Sequence, residues 1–234
     1  MTTPEPSDVE QAGPAFLFDL DGTLIDSVYQ HVIAWRAALQ EVGVSLPVWK
    51  LHRRIGMSGG LFVNALLREL GTTLDEETLA RLPGLHAEAY AAQLESVRPL
   101  PGAETLLRTL SEHDVPWAIA TSGLERSAGL AREMLNLSED TPMITRDRVR
   151  YAKPDPDLFL AAAAAIGVDI TDSIVVGDSV WDLMAARRAR AIGIGLLSGG
   201  YGREELIYGG AFRVYEDPAD LLAHLDEVGV RRPL

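Results

Sequence analysis

Four short stretches of this chain are apolar almost throughout. Ala15-Phe-Leu-Phe-Asp19 ends in an acid, Pro116-Trp-Ala-Ile-Ala-Thr121 in a hydroxyl, and Ser173-Ile-Val-Val-Gly-Asp178 in a second acid. Ala191 to Leu197 repeats the pattern more loosely. Runs of this length, bounded by turn residues, suit strands buried on both faces of a parallel sheet. Between them the periodicity becomes helical, over Ala103 to Glu112, Glu125 to Leu135, Asp157 to Ile166 and Val180 to Arg190. Strand alternating with helix predicts a doubly wound α/β domain, with its ligand site beyond the carboxyl ends of the strands. Asp19, Thr121 and Asp178 each close an apolar run at that edge.

One stretch breaks the alternation. From Ser27 to about Val97 the signals are helical. Val32, Trp35, Leu39 and Val42 share one helical face, and Leu61, Phe62, Ala65, Leu66 and Leu70 form another stripe after the breaker Gly59-Gly60. Asp75 opens a further helix, which Pro83-Gly84 is expected to kink or split. The expected organisation is a tail over 1–13, an α/β core over 14–27 and 98–234, and an all-helical insert over 28–97. The stretch from Asp217 to Val230 is read as one more helix on the core.

Composition narrows the partners. The chain has 234 residues, 47% of them hydrophobic, enough for an ample core and a small second unit. It has no cysteine, which removes disulfides, thiolate metal sites and a cysteine nucleophile. A net charge of −13 argues against nucleic acid. Neither a membrane span nor a secretory signal is visible, so the default address is the cytoplasm. A monomer is the default assembly and a homodimer the alternative. An anionic substrate would be repelled by the global field, so its site needs local positive charge.

Four segments carry candidate chemistry. In Phe18-Asp19-Leu20-Asp21-Gly22-Thr23, two carboxylates one residue apart follow a buried strand. Burying either unpaired costs several kcal/mol, which a hard cation relieves. In Ala120-Thr121-Ser122-Gly123, a hydroxyl, a glycine and the next helix's free N–H groups make an anion-binding corner, or an ordinary helix cap. In Tyr151-Ala-Lys153-Pro154, the proline restrains Lys153 to an extended backbone. In Gly177-Asp178-Ser179-Val180-Trp181-Asp182, one acid ends a strand and another lies on the first turn of a helix.

Together and in this order, these segments resemble the haloacid dehalogenase-like hydrolase superfamily, within it the phosphoglycolate phosphatase-like and β-phosphoglucomutase-like branch. The likeness runs from Phe16 to about Leu206 and includes Arg98-Pro-Leu-Pro-Gly102, similar to that branch's return from its cap. It implies a Rossmann-like core with a helical cap and a phosphatase that uses Mg2+. In that reading Asp19 is the nucleophile and Asp21 the acid and base. Mg2+ is held by Asp19, the Asp21 carbonyl and Asp178, with Asp182 behind them. Thr121, Ser122 and Gly123 hold the phosphoryl oxygens and Lys153 balances charge. The family usually has glycine where Arg190 stands, so that helix end is expected to be reshaped or shifted.

The same resemblance gives the cap the choice of substrate, a small phosphorylated metabolite of the phosphoglycolate or sugar phosphate type. The basic segment His52-Arg-Arg-Ile-Gly-Met-Ser-Gly-Gly60 is the part to watch. Arg53 or Arg54 either meets an anionic group on the substrate or pairs with surface acids. Tyr29 is a further candidate for the cleft, while Trp49 and Tyr90 read as core or surface aromatics. A phosphomutase is the main alternative. A metal-independent dehalogenase fits poorly with Asp21 and Asp178, a Schiff-base mechanism has only Lys50 to draw on, and a non-catalytic protein leaves the whole set unexplained.

Overall fold

The computed structural model describes residues 14–57 and 59–230, so the tail expected over 1–13 lies outside the described residues. The chain opens with β1 (Ala15–Phe18) and the short β2 (Ile25–Asp26). Four helices follow: α1 (Val28–Glu41), α2 (Val48–His52), α3 (Gly59–Leu70) and α4 (Glu76–Ala91). The short β3 (Arg98–Pro99) leads into α5 (Ala103–Glu112), β4 (Trp117–Ala120), α6 (Glu125–Met134) and β5 (Met143–Ile144). Then come α7 (Asp157–Ala165), β6 (Ser173–Gly177), α8 (Val180–Ala189) and β7 (Ile192–Leu196). The last elements are α9 (Arg203–Gly209), β8 (Ala211–Tyr215) and α10 (Pro218–Ala223).

Six strands form one parallel sheet in the order β5-β4-β1-β6-β7-β8. Side chains alternate across it as a pleat requires. Phe16, Phe18, Ile119, Ile174 and Val176 join the core cluster that includes Leu106, Leu110 and Leu221 of α5 and α10. Leu17, Ala118, Ala120 and Val175 join the opposite cluster, with Phe159 and Ala162 of α7 and Ala185 of α8. Both faces are covered, which is why these strands read as unbroken apolar runs. A fully buried Leu or Phe of this kind contributes about 1.5–3 kcal/mol. The central place of β1, between β4 and β6, puts its last residue at the middle of the sheet's carboxyl edge.

The helices between β2 and β3 have their own core. Val32, Trp35 and Leu39 of α1 cluster with Leu51, Phe62, Leu66 and Leu82. The two crossings of the chain into and out of this unit pair as an antiparallel ribbon, Ile25 opposite Pro99 and Asp26 opposite Arg98.

Several details differ from the sequence pattern. The helix containing Pro83 is not split, and α4 runs through it to Ala91. Asp75 caps that helix by accepting from the Thr78 N–H at 2.7 Å, Pro83 lies on its exposed side, and α1 packs along it. Tertiary packing there outweighs the missing N–H. The expected C-terminal helix is α10 followed by a 3-10 turn over Leu225–Val228. Strands β5 and β8 were not visible as apolar runs: β5 is two residues long, and β8 exposes Phe212 and Arg213 at the sheet edge.

Arg190 takes the left-handed conformation itself, with φ 66° and ψ 23°, and caps α8 without shifting its end. A side chain pays about 1 kcal/mol there that glycine does not. Arg190→Gly is therefore expected to raise stability by about 1 kcal/mol. Urea unfolding measures this, and a loss of stability would show that the arginine makes a compensating contact.

Candidate active site

Asp19 follows β1, its N–H bonded to the Val176 carbonyl at 2.8 Å, so the sheet itself fixes its backbone. A tight turn then doubles the chain back, with Gly22 N–H donating to the Ile25 carbonyl at 2.7 Å. Gly22 has φ 83°, and a Cβ there would lie 2.6 Å from Asp178 Oδ2. The glycine allows the Asp21 turn to close onto Asp178. Gly199 approaches from β7's side, where a Cβ would lie 1.7 Å from the same oxygen. Thr23, fully buried, donates to Asp178 Oδ1 at 3.2 Å.

Lys153 is fully buried and joins the acids. Its Nζ is hydrogen-bonded to Asp19 Oδ1 and lies 2.8 Å from Asp182 Oδ1. Asp182 also accepts from the Ser179 N–H at 3.1 Å and the Ser179 hydroxyl at 2.5 Å, closing a capping box on α8. It is thus occupied in aiming Lys153 and starting the helix. Phe159 places its ring 5.2 Å from the ammonium. At the end of β4, Thr121 Oγ1 accepts from the Gly123 N–H at 2.9 Å, and Ser122 donates to the Gly56 carbonyl at 3.0 Å. The strand register sets this corner beside Asp19.

Asp21 faces the helical unit. Its Oδ1 accepts from the Ser27 hydroxyl at 2.6 Å and lies 3.2 Å from His31 Nε2. His31 in turn has its Nδ1 3.2 Å from His86 Nε2 and stacks on Tyr90 with centroids 4.0 Å apart. Trp35 stacks on His86 at 4.3 Å. His31 and His86 did not stand out in the sequence, and Trp35 and Tyr90 read there as packing aromatics. The signal was present, since Ser27, His31 and Trp35 recur at four-residue spacing and so share one face of α1.

The cap segment crosses the same edge. Arg53 forms a two-pronged ion pair with Glu205 of α9, at 3.1 and 2.5 Å. Its carbonyl accepts from the Tyr201 hydroxyl at 2.9 Å and from Trp181 Nε1 at 3.3 Å. Arg54 and Lys50 both pair with Glu69 inside the cap. Tyr29 stacks on His52 at 5.3 Å, and His52 Nε2 donates to the Gly199 carbonyl at 2.8 Å. The structure therefore gathers Asp19, Asp21, Thr121, Ser122, Gly123, Lys153, Asp178 and Asp182 at one edge. It sets Tyr29 beside the Gly199–Gly200 turn and commits Arg53 and Arg54 to carboxylates.

A family model described as haloacid dehalogenase-like hydrolase matches residues 14–190, most of the chain. The chain belongs to the haloacid dehalogenase-like hydrolases. Among relatives, it is 35% identical over 189 residues to a phosphoglycolate phosphatase of Xylella fastidiosa, covering 77% of this chain and 80% of that one. Over 165 residues it is 32% identical to hexitol phosphatase A of Escherichia coli, covering 70% and 74%. The crystal structure of a hydrolase from Pseudomonas syringae superposes with a TM-score of 0.90 at 51% identity, over 93% of this chain and all of the other. These agree with the α/β core and the branch that the motifs resemble.

Charge in this haloacid dehalogenase-like site is out of balance. Asp19, Asp178 and Asp182, all buried, offer oxygens within 4.8 Å of one another, and Lys153 pairs with Asp19 and Asp182. Burial pushes the Asp19 carboxyl up to about 7; Lys153 opposes this, and Asp182 and Asp21 add to it. Asp178 is raised well above the ordinary range by burial, Asp182 and Asp19. Lys153 is raised, because the two carboxylates outweigh its own burial. All-oxygen donors, excess negative charge and a glycine-lined cradle at Asp178 fit a divalent cation. Among the described residues no helix is long and apolar enough to cross a membrane.

The raised acids set a sign for pH dependence. A carboxyl whose folded pKa is raised contributes stability below its unfolded value and loses it as pH rises through the folded one. For Asp19 that loss spans about 3.8 to about 7. In metal-free protein the cluster is therefore expected to destabilise as pH climbs from 5 to 8. A divalent cation, supplied as Mg2+, should raise the melting temperature more at pH 8 than at pH 5, and Asp178→Asn should remove most of that gain. Calorimetry with Mg2+ and with EDTA checks it; an equal gain at both pH values would contradict the charge argument.

Proposed function

We propose that this phosphatase hydrolyses a small phosphomonoester of the phosphoglycolate or sugar phosphate type, with the phosphoryl group carried transiently on Asp19 and Mg2+ as the metal. The observation that carries the reading is the placement of Asp19: buried, fixed by the sheet, bonded to Lys153, and two residues from an acid that Ser27 and His31 hold in place. Asp19 and Asp178, with the Asp21 carbonyl, would hold the ion, whose charge offsets that of the phosphoryl oxygens.

Asp19 attacks phosphorus, and Lys153 keeps the carboxylate oriented while supplying charge to the incoming phosphate. Thr121 and the Ser122 and Gly123 N–H groups, in the turn before α6, receive phosphoryl oxygens, the Gly123 N–H exchanging its bond to Thr121 Oγ1 for one to phosphate. Asp21 gives a proton to the leaving oxygen and later takes one from the water that cleaves the acyl phosphate. Without substrate, burial pushes the Asp21 carboxyl up, but His31 and Ser27 outweigh it and hold it down at about 2. A phosphate dianion alongside adds like charge and drives Asp21 toward its protonated form. His86, behind His31, is pulled down to about 3 by burial and by His31, so it stays neutral at ordinary pH.

Phosphate release from a panel of phosphomonoesters, with Mg2+ or EDTA, tests the reading. Release should need the metal and should fall at least about a thousandfold in Asp19→Asn. Interconversion of sugar phosphate isomers without release would favour the phosphomutase, and an unaffected Asp19→Asn would remove Asp19 as nucleophile. A second expectation concerns His31. His31→Asn should slow alkyl phosphates roughly tenfold or more while sparing an aryl phosphate, whose leaving group needs little protonation. An equal loss on both would assign His31 a structural role only.

A further inference from the structure

We propose that the cap of this enzyme selects esters whose leaving group is an uncharged polyol or sugar, against those bearing a second anion, and that Glu205 sets this choice by neutralising Arg53. The inference rests on the phosphatase reading and sharpens it. Arg53 is the cap arginine joined to the core rim, and a planar guanidinium there would suit a substrate carboxylate. Glu205 already fills both prongs of that fork.

The arrangement is built on several sides. Glu205 Oε2 also accepts from the Gly202 N–H at 2.8 Å, which ties the carboxylate to the start of α9. The Arg53 guanidinium lies 4.8 Å over the Tyr201 ring. Its carbonyl is held by Tyr201 and Trp181, so backbone and side chain are both anchored to the core. The neighbouring cations of the segment are spent inside the cap, Arg54 on Glu69 and the Lys50 carbonyl, Lys50 on Glu69.

Hydroxyl and ring groups stand at the rim instead. Tyr29 is 52% exposed, and its hydroxyl lies 2.6 Å from where a Cβ on Gly200 would sit. It stacks on His52 beside Gly199, the residue packed on Asp178. Such hydroxyl and imidazole groups serve a hydroxylated leaving group. A second anion would meet no uncommitted Lys or Arg in this segment, next to a cluster of acids in a chain of net charge −13. Like charge without a partner lowers affinity and on-rate alike.

The test compares kcat/KM for 2-phosphoglycolate with that for glycerol 3-phosphate and a hexitol phosphate, in wild type, Glu205→Gln and Arg53→Gln, with p-nitrophenyl phosphate as reference. Wild type should favour the polyol esters by at least about tenfold. Glu205→Gln frees a guanidinium and should move the ratio toward phosphoglycolate by roughly tenfold, the worth of one charged hydrogen bond. Arg53→Gln should lower all esters alike. A wild-type preference for phosphoglycolate overturns the proposal, as does a selective loss of phosphoglycolate turnover in Arg53→Gln or an unmoved ratio in a folded Glu205→Gln. If Glu205→Gln does not fold, the wild-type ratio and Arg53→Gln decide. Absence of metal-dependent release from every ester, the aryl reference included, would strike the phosphatase reading itself.

Discussion

One buried ammonium among buried carboxylates is the interaction around which this molecule is arranged. Lys153 bridges Asp19 and Asp182, and Asp178 stands in the same cluster. Charges removed from water are tolerated only when paired and hydrogen-bonded, and one lysine cannot neutralise three acids. The parallel sheet supplies the rigidity this demands. β1 and β6 are adjacent and in register, so Asp19 and Asp178 emerge side by side. Helix α8 starts at the same edge and turns Asp182 onto the lysine. The imbalance that remains fits a cation, as the proposed reaction requires.

The helical unit touches this cluster of acids through a side chain. His31 of α1 reaches Asp21, and His86 of α4 reaches His31, so the packing of α1 on α4 orients the carboxylate proposed as acid and base. Elsewhere, Arg53 and Glu205 join α2's end to α9. An exposed pair of this sort adds little stability. Its consequence lies in the charge it removes from the cleft.

Much of the core was legible because burial leaves a mark on composition. Asp19 and Asp178 stand out in the sequence since each ends a run too apolar to lie at a surface, and α5 to α8 follow from helical periodicity. The edge strands β5 and β8 were not legible, because a two-residue strand and a half-exposed one carry no such mark. Pro83 misled, since propensity yields to packing along α1. Arg190 shows that a left-handed cap does not require the glycine expected there. Spacing along α1 hinted at His31, but its pairing with His86 and that of Arg53 with Glu205 join residues distant in sequence, which no local pattern encodes.

The central claim is that Asp19 itself becomes phosphorylated. Asp21→Asn incubated with Mg2+ and an aryl phosphate tests it most directly. The leaving group needs no proton, whereas hydrolysis of the intermediate lacks its base, so the intermediate should accumulate. Acid quenching and peptide mass spectrometry should then find a phosphoryl group on Asp19, absent when EDTA replaces Mg2+. An unmodified Asp19 in enzyme that has turned over the ester, or a phosphoryl group on another residue, would contradict the account.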